Sequence, residues 1–332
     1  MAKPDRCFVS ADYRDMEGRL LAHYTGDPVL QAELDGELRG EPKRHARNAA
    51  MLYAAQGVTV DAAKSHLIML KGTMKPAYDG GKRLGHAWGY GMGPAHMAKT
   101  FWVTMEFARA ADAMMSEKYA VTVAHRKQRA DQVFGVALYE CQRCNTQSEE
   151  YGPCGPCSKG QRTPIPRKYI GMKQYGERLL RTPFGRIRHF PGRKASGANA
   201  VAAQEPQGGG ASIWNRTLLK LLDPLTPGPA ERVLWDPTLP VSTLYEPAHI
   251  FAATGTYDSY LVECPTSDAE RVLEWLISIM EQPWRQLNGL RLPAEGSIGY
   301  NWGKYDPKHP EVNPNGLVEA PRSPFTARNP YA

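Results

Sequence analysis

The stretch CFVSADYRDMEGRLLAHYTGDP, residues 7–28, decides the fold of this chain. It opens with a short apolar run that predicts a buried strand over residues 7–11, and Asp12 follows at the end of that strand. The apolar spacing after it predicts a helix over residues 16–24. The stretch therefore predicts a strand and a helix with one carboxylate at the end of the strand.

A second stretch, FAATGTYDSYLVECP (residues 251–265), predicts a β-hairpin with Asp258 at its tip. Its antiparallel strands are expected over residues 249–253 and 260–264, and the glycine of TGTYD permits the turn between them. Packing this hairpin beside the first strand would bring Asp12 and Asp258 to one edge of a small sheet.

The residues after the hairpin predict a helix that backs this sheet. Ser267-x-x-Glu270 is typical of a capping box at a helix start. One apolar helical face then follows, formed by Val272, Leu273, Leu276, Ile277 and Met280.

Carboxylates from two distant segments can hold a pair of Mg²⁺ ions about 3.5–4 Å apart. Such a pair serves nucleotidyl transfer, since one ion activates the attacking hydroxyl and the other steadies the leaving pyrophosphate. Between the aspartates lies GGKRLGHAWGYG, residues 80–91. Lys82, His86 and Tyr90 recur there at every fourth residue and so share one helical face, along which a nucleotide could lie.

These segments, in this order, resemble the palm and fingers portion of a family A, DNA polymerase I-like DNA polymerase of bacteriophage type. The first family motif, D-Y-S-x-x-E-x-R-x-x-A-H-x-x-G-D, is matched at Asp12, Tyr13, Glu17, Arg19, Ala22, His23, Gly26 and Asp27. Later matches are His45–Ala49, Lys82 to Gly91, Thr182–Arg188, Gln207–Gly208, Tyr257–Ser259 in place of H-D-E or H-D-S, and Gly299, Asn301 and Trp302. The resemblance spans nearly the whole chain.

The resemblance implies an α+β fold with a right-hand palm, a small antiparallel sheet backed by helices. It also implies helical fingers and a zinc-ribbon-like insertion, without thumb or exonuclease domains. The segments expected are palm over 1–45, fingers over 46–135, insertion over 136–162, palm over 163–303 and an extended Pro-rich tail over 304–332.

It further implies roles for single residues around the nucleotide. Asp12 and Asp258 would hold two catalytic Mg²⁺ ions. Lys82 would grip the triphosphate, His86, in place of the usual aromatic, would stack on the base or sugar, and Tyr90 would lie near the template position. Glu17 would close the space beside the sugar, so that deoxyribose fits and ribose does not.

The resemblance also implies DNA contacts, at Arg186, Arg188, Gln204, Gln207 and Tyr257. Gln207 would read the minor-groove edge of the new base pair, and Tyr257 stands in place of a histidine beside the primer end. Charge supports this, because residues 159–194 contain eleven Lys or Arg residues and one acidic residue. Such asymmetry is typical of a surface that follows a phosphate backbone.

Four cysteines form two C-x-x-C pairs, Cys141 with Cys144 and Cys154 with Cys157. Four thiolates close a tetrahedral sphere and leave no position for a reactive water, so the pairs predict one structural zinc ion. The alternative is a pair of disulfides. The two remaining cysteines, at 7 and 264, lie in apolar runs and are expected to be buried thiols.

Composition indicates a globular chain of 332 residues, 42% hydrophobic and 23% charged, with a net charge of +7. No apolar run approaches the roughly 20 residues that a bilayer requires, and the first residues lack a secretory signal. We therefore expect a cytoplasmic protein, in the host cytoplasm if it is viral, and no membrane partner.

The function implied is template-directed addition of dNTPs to a primer 3′ end, with primer-template DNA as partner. In the family the thumb and exonuclease precede the first motif, whereas eleven residues precede Asp12 here. We therefore expect no proofreading and a second polypeptide that carries both domains. One alternative is a non-catalytic, polymerase-derived DNA-binding replication accessory, which the unusual Tyr78, His86 and Tyr257 favour. Another is a terminal transferase or RNA-primed specialist.

Overall fold

The computed structural model describes residues 2, 5–55, 75–149, 153–159, 165–191, 194–222, 251–256 and 258–320. The chain divides into two compact units. The sheet unit comprises residues 1–20 and 207–332, and the helical unit comprises residues 21–206. The segment boundaries expected from the sequence stay predictions.

The strands and helices are numbered in chain order. The strands are β1 (Arg6–Tyr13), β2 (Gly135–Cys141), β3 (Gln147–Ser148), β4 (Arg167–Tyr175), β5 (Leu179–Arg181), β6 (Ile187–His189), β7 (Phe251–Thr256), β8 (Ser259–Pro265), β9 (Ala294–Gly299) and β10 (Val318–Glu319). The α-helices are α1 (Met16–Thr25), α2 (Pro28–Leu38), α3 (Arg44–Ala55), α4 (Lys75–Gly89), α5 (Pro94–Phe101), α6 (Met105–Lys118), α7 (Ala120–Phe134), α8 (Gly155–Ser158), α9 (Lys194–Leu222) and α10 (Ala269–Met280). Short 3₁₀ helices cover Thr266–Asp268 and Arg285–Leu287.

The sheet unit contains an antiparallel sheet with the strand order β10-β9-β1-β8-β7. The β7–β8 hairpin lies beside β1, as the sequence predicts, and Asp12 faces Ser259 across the pair. β1 is longer than predicted and runs on to Tyr13, so Asp12 lies inside the strand. Gly255 is paired with Tyr260 within the hairpin strands and does not form the turn.

Alternate residues of β1 face the core of the sheet unit. The buried set is Cys7, Val9, Ala11 and Tyr13. Helix α10 packs on β1, β8 and β9. On β9, a Cβ at Gly296 would lie 2.2 Å from a methyl carbon of Leu273, so glycine permits this close approach. Because neighbouring side chains of a strand point to opposite faces, Asp12 belongs to the other, half-buried face.

Helix α10 begins one residue later than its sequence predicts. A 3₁₀ turn over Thr266–Asp268 precedes it, and Asp268 takes the N-cap position without a side-chain capping bond. The capping box predicted at Ser267 and Glu270 is therefore wrong, because the turn winds the chain past Ser267 before the helix starts. The predicted apolar face is confirmed, since all five of its residues are buried.

The helical unit has a core around Leu34, Trp88 and Met115. Asp27, at the end of the first motif, is buried there and caps α2 by accepting the N–H of Leu30 over 3.2 Å. Its second carboxylate oxygen accepts the N–H and the hydroxyl of Thr122 on α7, over 3.0 and 2.8 Å. This aspartate therefore joins two helices and has a structural role.

Beyond α7 the chain forms a sheet with the order β3-β2-β4, followed by the β5–β6 hairpin. β2 and β4 pair antiparallel from Gly135 opposite Tyr175 to Cys141 opposite Arg167. β3 pairs only with residues 139 and 140 of β2. Most of this sheet is thus a two-stranded ribbon, named here the β2–β4 ribbon.

The start of the expected tail is folded. Residues 304–320 contain turns and β10, which pairs with β9, and Lys304 bridges to Leu317. Among the described residues, none of the helices combines the length and the apolar character needed to span a bilayer.

Candidate active site

The two predicted catalytic aspartates lie next to each other in the sheet unit. Asp258 precedes β8 in the hairpin turn, and Asp12 lies opposite Ser259, the next residue. The peptide N–H of Tyr13 donates to the carbonyl oxygen of Asp258 over 3.0 Å. The side chains of the two aspartates share a hydrogen bond. Sequence positions 246 residues apart are thus brought together at one end of the neighbouring strands β1 and β8, inside the sheet.

The environment of Asp12 disfavours its ionised form. Burial, followed by the nearby charges of Asp258 and Glu295, raises the pKa of Asp12 from 3.8 to about 7, and Lys304 opposes that shift. Oδ1 of Asp12 is buried and has no hydrogen-bond partner among the described residues. A buried carboxylate oxygen without a donor suits a cation, because each buried polar atom otherwise costs free energy.

Glu295 is a third carboxylate that the sequence did not single out. It lies on β9 directly opposite Asp12, on the same half-buried face of the sheet. Nε of Arg14 contacts its carboxylate at 3.2 Å. The alternation of residues in LPAEGSIG predicts a strand with Glu295 facing away from the core. It does not predict that this strand pairs with β1, because the pairing joins residues that are far apart in the sequence.

The carboxylates of this site fit a divalent cation. Mg²⁺ prefers carboxylate and water oxygens; the neighbouring Asp12 and Asp258 would supply the former, and Glu295, held by Arg14, adds negative charge nearby. A cation would also relieve the mutual repulsion that raises the pKa of Asp12.

The candidate nucleotide-binding residues lie on or just after α4. Lys82 is exposed and His86 is half-buried, with its ring 5.2 Å from that of His45. Tyr90 follows the last residue of α4, and its N–H still donates to the carbonyl of His86 over 3.1 Å. The predicted shared helical face therefore ends one residue short of Tyr90.

Two glycines let α4 pack closely on α3 and leave Lys82 on the exposed side of the helix. A Cβ at Gly81 would lie 2.8 Å from the carbonyl oxygen of His45, and one at Gly85 would lie 2.7 Å from Nδ2 of Asn48. These glycines, four residues apart, form the face of α4 that packs on α3. Lys82 lies outside that contact and is exposed.

Glu17 lies in the first turn of α1 in the sheet unit and is half-buried. Arg19, two residues further along α1, is buried, and its Nε donates to the carbonyl of Arg14 over 3.0 Å. The start of α1 is thereby fixed to the end of β1, the strand that carries Asp12.

The candidate DNA-binding residues occupy different environments. Arg186 and Arg188 are exposed at the β5–β6 hairpin, and the Arg188 guanidinium lies 5.4 Å from the ring centre of Phe190. On α9, Gln207 is exposed whereas Gln204 is buried. Tyr257 lies outside the described residues.

Comparison with known proteins finds a similar fold among solved structures. No protein-family model and no curated protein sequence matches this chain. Among solved structures, the chain is similar to the POL domain of Pol1 from M. smegmatis, solved in complex with DNA primer-template and dNTP. The TM-score is 0.56 at 14% sequence identity, over 90% of this chain and 40% of that chain. The fold of this chain is therefore similar to part of a DNA polymerase POL domain.

Within the POL-like fold, the four paired cysteines form a separate cluster at the end of the β2–β4 ribbon. Their sulfur atoms all lie within 4.8 Å of one another, and those of Cys144 and Cys154 are 3.6 Å apart. Sulfurs bound to one tetrahedral zinc ion at about 2.3 Å are about 3.8 Å from each other. The four donors therefore fit a zinc ion, and none of them is in a disulfide.

Local bonds prepare the cluster for a metal. The N–H of Arg143 donates to Sγ of Cys141 over 3.4 Å. The hydroxyl of Thr146 lies 2.9 Å from Sγ of Cys144, and this bond, with a further one to Cys157, lowers the pKa of the Cys144 thiol to about 6, while the contact with Cys144 raises the pKa of Cys157. A lowered pKa favours the thiolate, which is the form that binds zinc. The predicted buried thiols Cys7 and Cys264 are confirmed in the core of the sheet unit.

Proposed function

We propose that this chain is the catalytic part of a template-directed DNA polymerase of family A, which adds dNTPs to a primer 3′ end. The observation that carries the proposal is the close approach of Asp12 and Asp258 where β1 and β8 lie side by side, with a buried oxygen of Asp12 lacking a donor. The POL-like fold supports the same reading. The solved neighbour binds primer-template and dNTP, and we propose both as partners of this chain.

Two Mg²⁺ ions, when bound, would supply an activated primer hydroxyl and a neutralised pyrophosphate leaving group. Asp12 and Asp258 would hold them, and Glu295 would add negative charge next to Asp12. Because the pKa of Asp12 is raised to about 7, binding a cation there displaces a proton near neutral pH.

The other residues position the reactants. Lys82, exposed on α4, would bind the triphosphate as a point charge, with His86 beside the base or sugar and Tyr90 near the template. Glu17 would exclude a 2′-hydroxyl. In this reaction the protein acts mainly by positioning the reactants and neutralising their charge, rather than by covalent catalysis.

Arg186 and Arg188 offer exposed charge for the DNA backbone, and Gln207 is exposed for a minor-groove contact. The buried Gln204 would act from inside the protein, and Tyr257 would lie beside the primer end. One zinc ion in the cysteine cluster would be structural. A bacteriophage source, a cytoplasmic location and a second polypeptide with thumb and exonuclease domains stay predictions.

Primer extension on a labelled primer-template, with Mg²⁺ and four dNTPs, tests the proposal. We expect template-dependent extension by the purified chain and its loss in Asp258→Asn, with DNA binding retained. Glu274→Gln, which alters an exposed acid of α10, is the matched control and should extend normally.

Each other outcome identifies a different function. Synthesis retained in Asp258→Asn would refute the site, and extension without a template would indicate a terminal transferase. DNA binding without extension by the unmodified chain would indicate either a missing partner chain or the non-catalytic accessory.

A further inference from the structure

The β2–β4 ribbon presents a row of aromatic and apolar side chains on one face. Residues paired directly across a ladder lie on the same face of a sheet. The register pairs Tyr139 with Tyr169, residue 137 with Met172, and Gly135 with Tyr175. Tyr139, Tyr169, Met172 and Tyr175 therefore share one face, with the shifts in register falling between them.

This face is open to water. Tyr169 is 51% exposed and Tyr175 is 83% exposed. The rings of Tyr139 and Tyr169 meet edge to face, with centroids 5.8 Å apart, which leaves at least one face of each ring uncovered by the other. Large aromatic side chains left in water in a row mark a binding surface more often than single exposed residues do.

On β2, the residues opposite Tyr175 and Met172 are small, Gly135 and Ala137. At Gly135, with φ of 80°, a Cβ would lie 2.2 Å from the carbonyl oxygen of Gln174. No side chain can therefore stand beside Tyr175 at this position, and Ala137 adds only a methyl group further along. The methyl carbon of Met172 lies 2.8 Å from that Cβ position, so a planar ligand would meet the ring of Tyr175 and the side chain of Met172 there.

The charge around the ribbon identifies the kind of ligand. Arg167 and the exposed Lys168 lie where β4 begins, at the end that carries the cysteine cluster. After β4 the chain continues through exposed arginines at 178, 181, 186 and 188. A planar, aromatic-binding surface bordered by cations is complementary to bases joined by phosphates.

The cysteine cluster holds the far end of the ribbon. Cys141 ends β2, and the N–H of Cys154 donates to the carbonyl of Ile165, just before β4, over 3.0 Å. A zinc ion across the two C-x-x-C pairs would therefore join both strands of the ribbon. A rigid ribbon keeps its tyrosines spaced without further ordering on binding.

We propose that the β2–β4 ribbon binds single-stranded nucleic acid, with bases stacked on Tyr169 and Tyr175 and phosphates on the neighbouring cations. Duplex bases already stack on each other and offer no free ring face, so a single strand is the matching partner. This site is additional to the proposed polymerase activity. Its binding is measurable without dNTPs, Mg²⁺ or synthesis.

The test measures fluorescence anisotropy of a labelled oligodeoxythymidine and of a blunt duplex of equal length. We expect Tyr169→Ala and Tyr175→Ala each to weaken binding of the single strand roughly ten-fold, within the range for loss of one base–aromatic stack. Tyr→Phe at either position keeps the ring and should bind as the unmodified chain does. Trp102→Ala removes a residue that is 94% exposed on another element, and should change nothing.

Three results would overturn the proposal. The first is tyrosine-to-alanine variants that bind like Trp102→Ala. The second is an equal loss of single-strand binding in the Tyr→Phe variants. The third is an equal loss of duplex binding in the Tyr→Ala variants. Thermal unfolding checks the fold of each variant, and Tyr→Leu, which fills the strand position without an aromatic face, replaces alanine if stability falls.

Discussion

The peptide N–H of Tyr13 donates to the carbonyl oxygen of Asp258 over 3.0 Å, and this bond fixes the neighbouring carboxylates of Asp12 and Asp258 beside each other. The backbone therefore holds two carboxylates close together. A third acid, Glu295, lies opposite Asp12 on the neighbouring strand β9. Sites arranged for function commonly reduce stability in this way.

Asp12→Asn should stabilise the metal-free chain at pH 8. The folded pKa of Asp12 is about 7 and lies above its ordinary value of 3.8, so the native state loses stability as pH rises between these values. Removing the charge should raise the midpoint of thermal unfolding by roughly 2–4 °C, the shift that about 1 kcal/mol produces in a domain of this size.

The same variant should lose the response to magnesium. Mg²⁺ should raise the unfolding midpoint of the unmodified chain and leave that of Asp12→Asn unchanged, because a cation that binds only the native state stabilises it. Equal stabilisation of both proteins by Mg²⁺ would contradict the assignment of Asp12 as a ligand.

Glu295→Gln should move the pH dependence of synthesis. The negative charge of Glu295 raises the pKa of Asp12, so its removal lowers that pKa and leaves Asp12 ionised at lower pH. The acid limb of the rate profile should shift to lower pH. Glu319→Gln, on exposed β10 of the same sheet, is the control and should not shift it. An unchanged profile in Glu295→Gln would show that the two carboxylates do not interact.

Glu281→Gln should flatten the pH dependence of stability. Burial raises the pKa of Glu281 from 4.5 to about 7, against the effect of the Ala294 N–H, which donates to it over 2.8 Å. The unmodified chain should thus lose stability relative to the variant as pH rises from about 4.5 to 7. A glutamine oxygen can accept the same bond.

Unfolding midpoints of both proteins, compared across this pH range, measure the effect. Their difference should grow with pH by roughly 2–4 °C. Glu274→Gln, exposed on α10, should show a constant difference from the unmodified chain. A constant difference for Glu281→Gln as well would mean that Glu281 has the same pKa in the folded and the unfolded chain.

The sheet is largely predictable from the sequence because its signals are local. Apolar runs bounded by a turn predict β1 and the β7–β8 hairpin, and their pairing follows from the need to bury the runs. The sequence pattern also predicts Gly255 in the turn and a helix cap at Ser267, and both predictions are wrong. Strand register and a 3₁₀ turn decide those details, and neither leaves a clear local pattern.

The site was only partly predictable for the same reason. Asp12 and Asp258 each end an apolar run, which is a visible signal. Glu295 reaches Asp12 only through the register of β9 on β1, a pairing between residues far apart in the chain. The aromatic face of the β2–β4 ribbon likewise depends on two shifts in register that its sequence does not reveal.

Glu17→Ala should weaken selection for deoxyribose. If Glu17 closes the space beside the sugar, its removal should raise incorporation of ribonucleotides relative to deoxyribonucleotides about ten-fold or more, which corresponds to about 1.4 kcal/mol. Glu106→Ala is the matched control, because Glu106 also lies in the first turn of a helix and loses the same favourable charge there. Equal ratios in all three proteins would remove Glu17 from the sugar site.

We expect the cysteine cluster to retain one zinc ion per chain when the protein is purified without a chelator. The four sulfurs lie within 4.8 Å of one another, and Cys154 is fully buried, so Cys154→Ser should remove the ion and lower the unfolding midpoint. Cys7→Ala, which alters a buried thiol outside the cluster, should keep the zinc. Metal content by mass spectrometry makes the comparison.

A thiol count in denaturant separates zinc from disulfides. With chelator present and no reductant, a zinc-bound cluster releases four thiols, and with Cys7 and Cys264 the unfolded chain should show six reactive thiols. A pair of disulfides would leave only the thiols of Cys7 and Cys264 reactive and would contradict the metal assignment. In that case the ends of β2 and β4 would be joined covalently, and chelators would leave the stability of the β2–β4 ribbon unchanged.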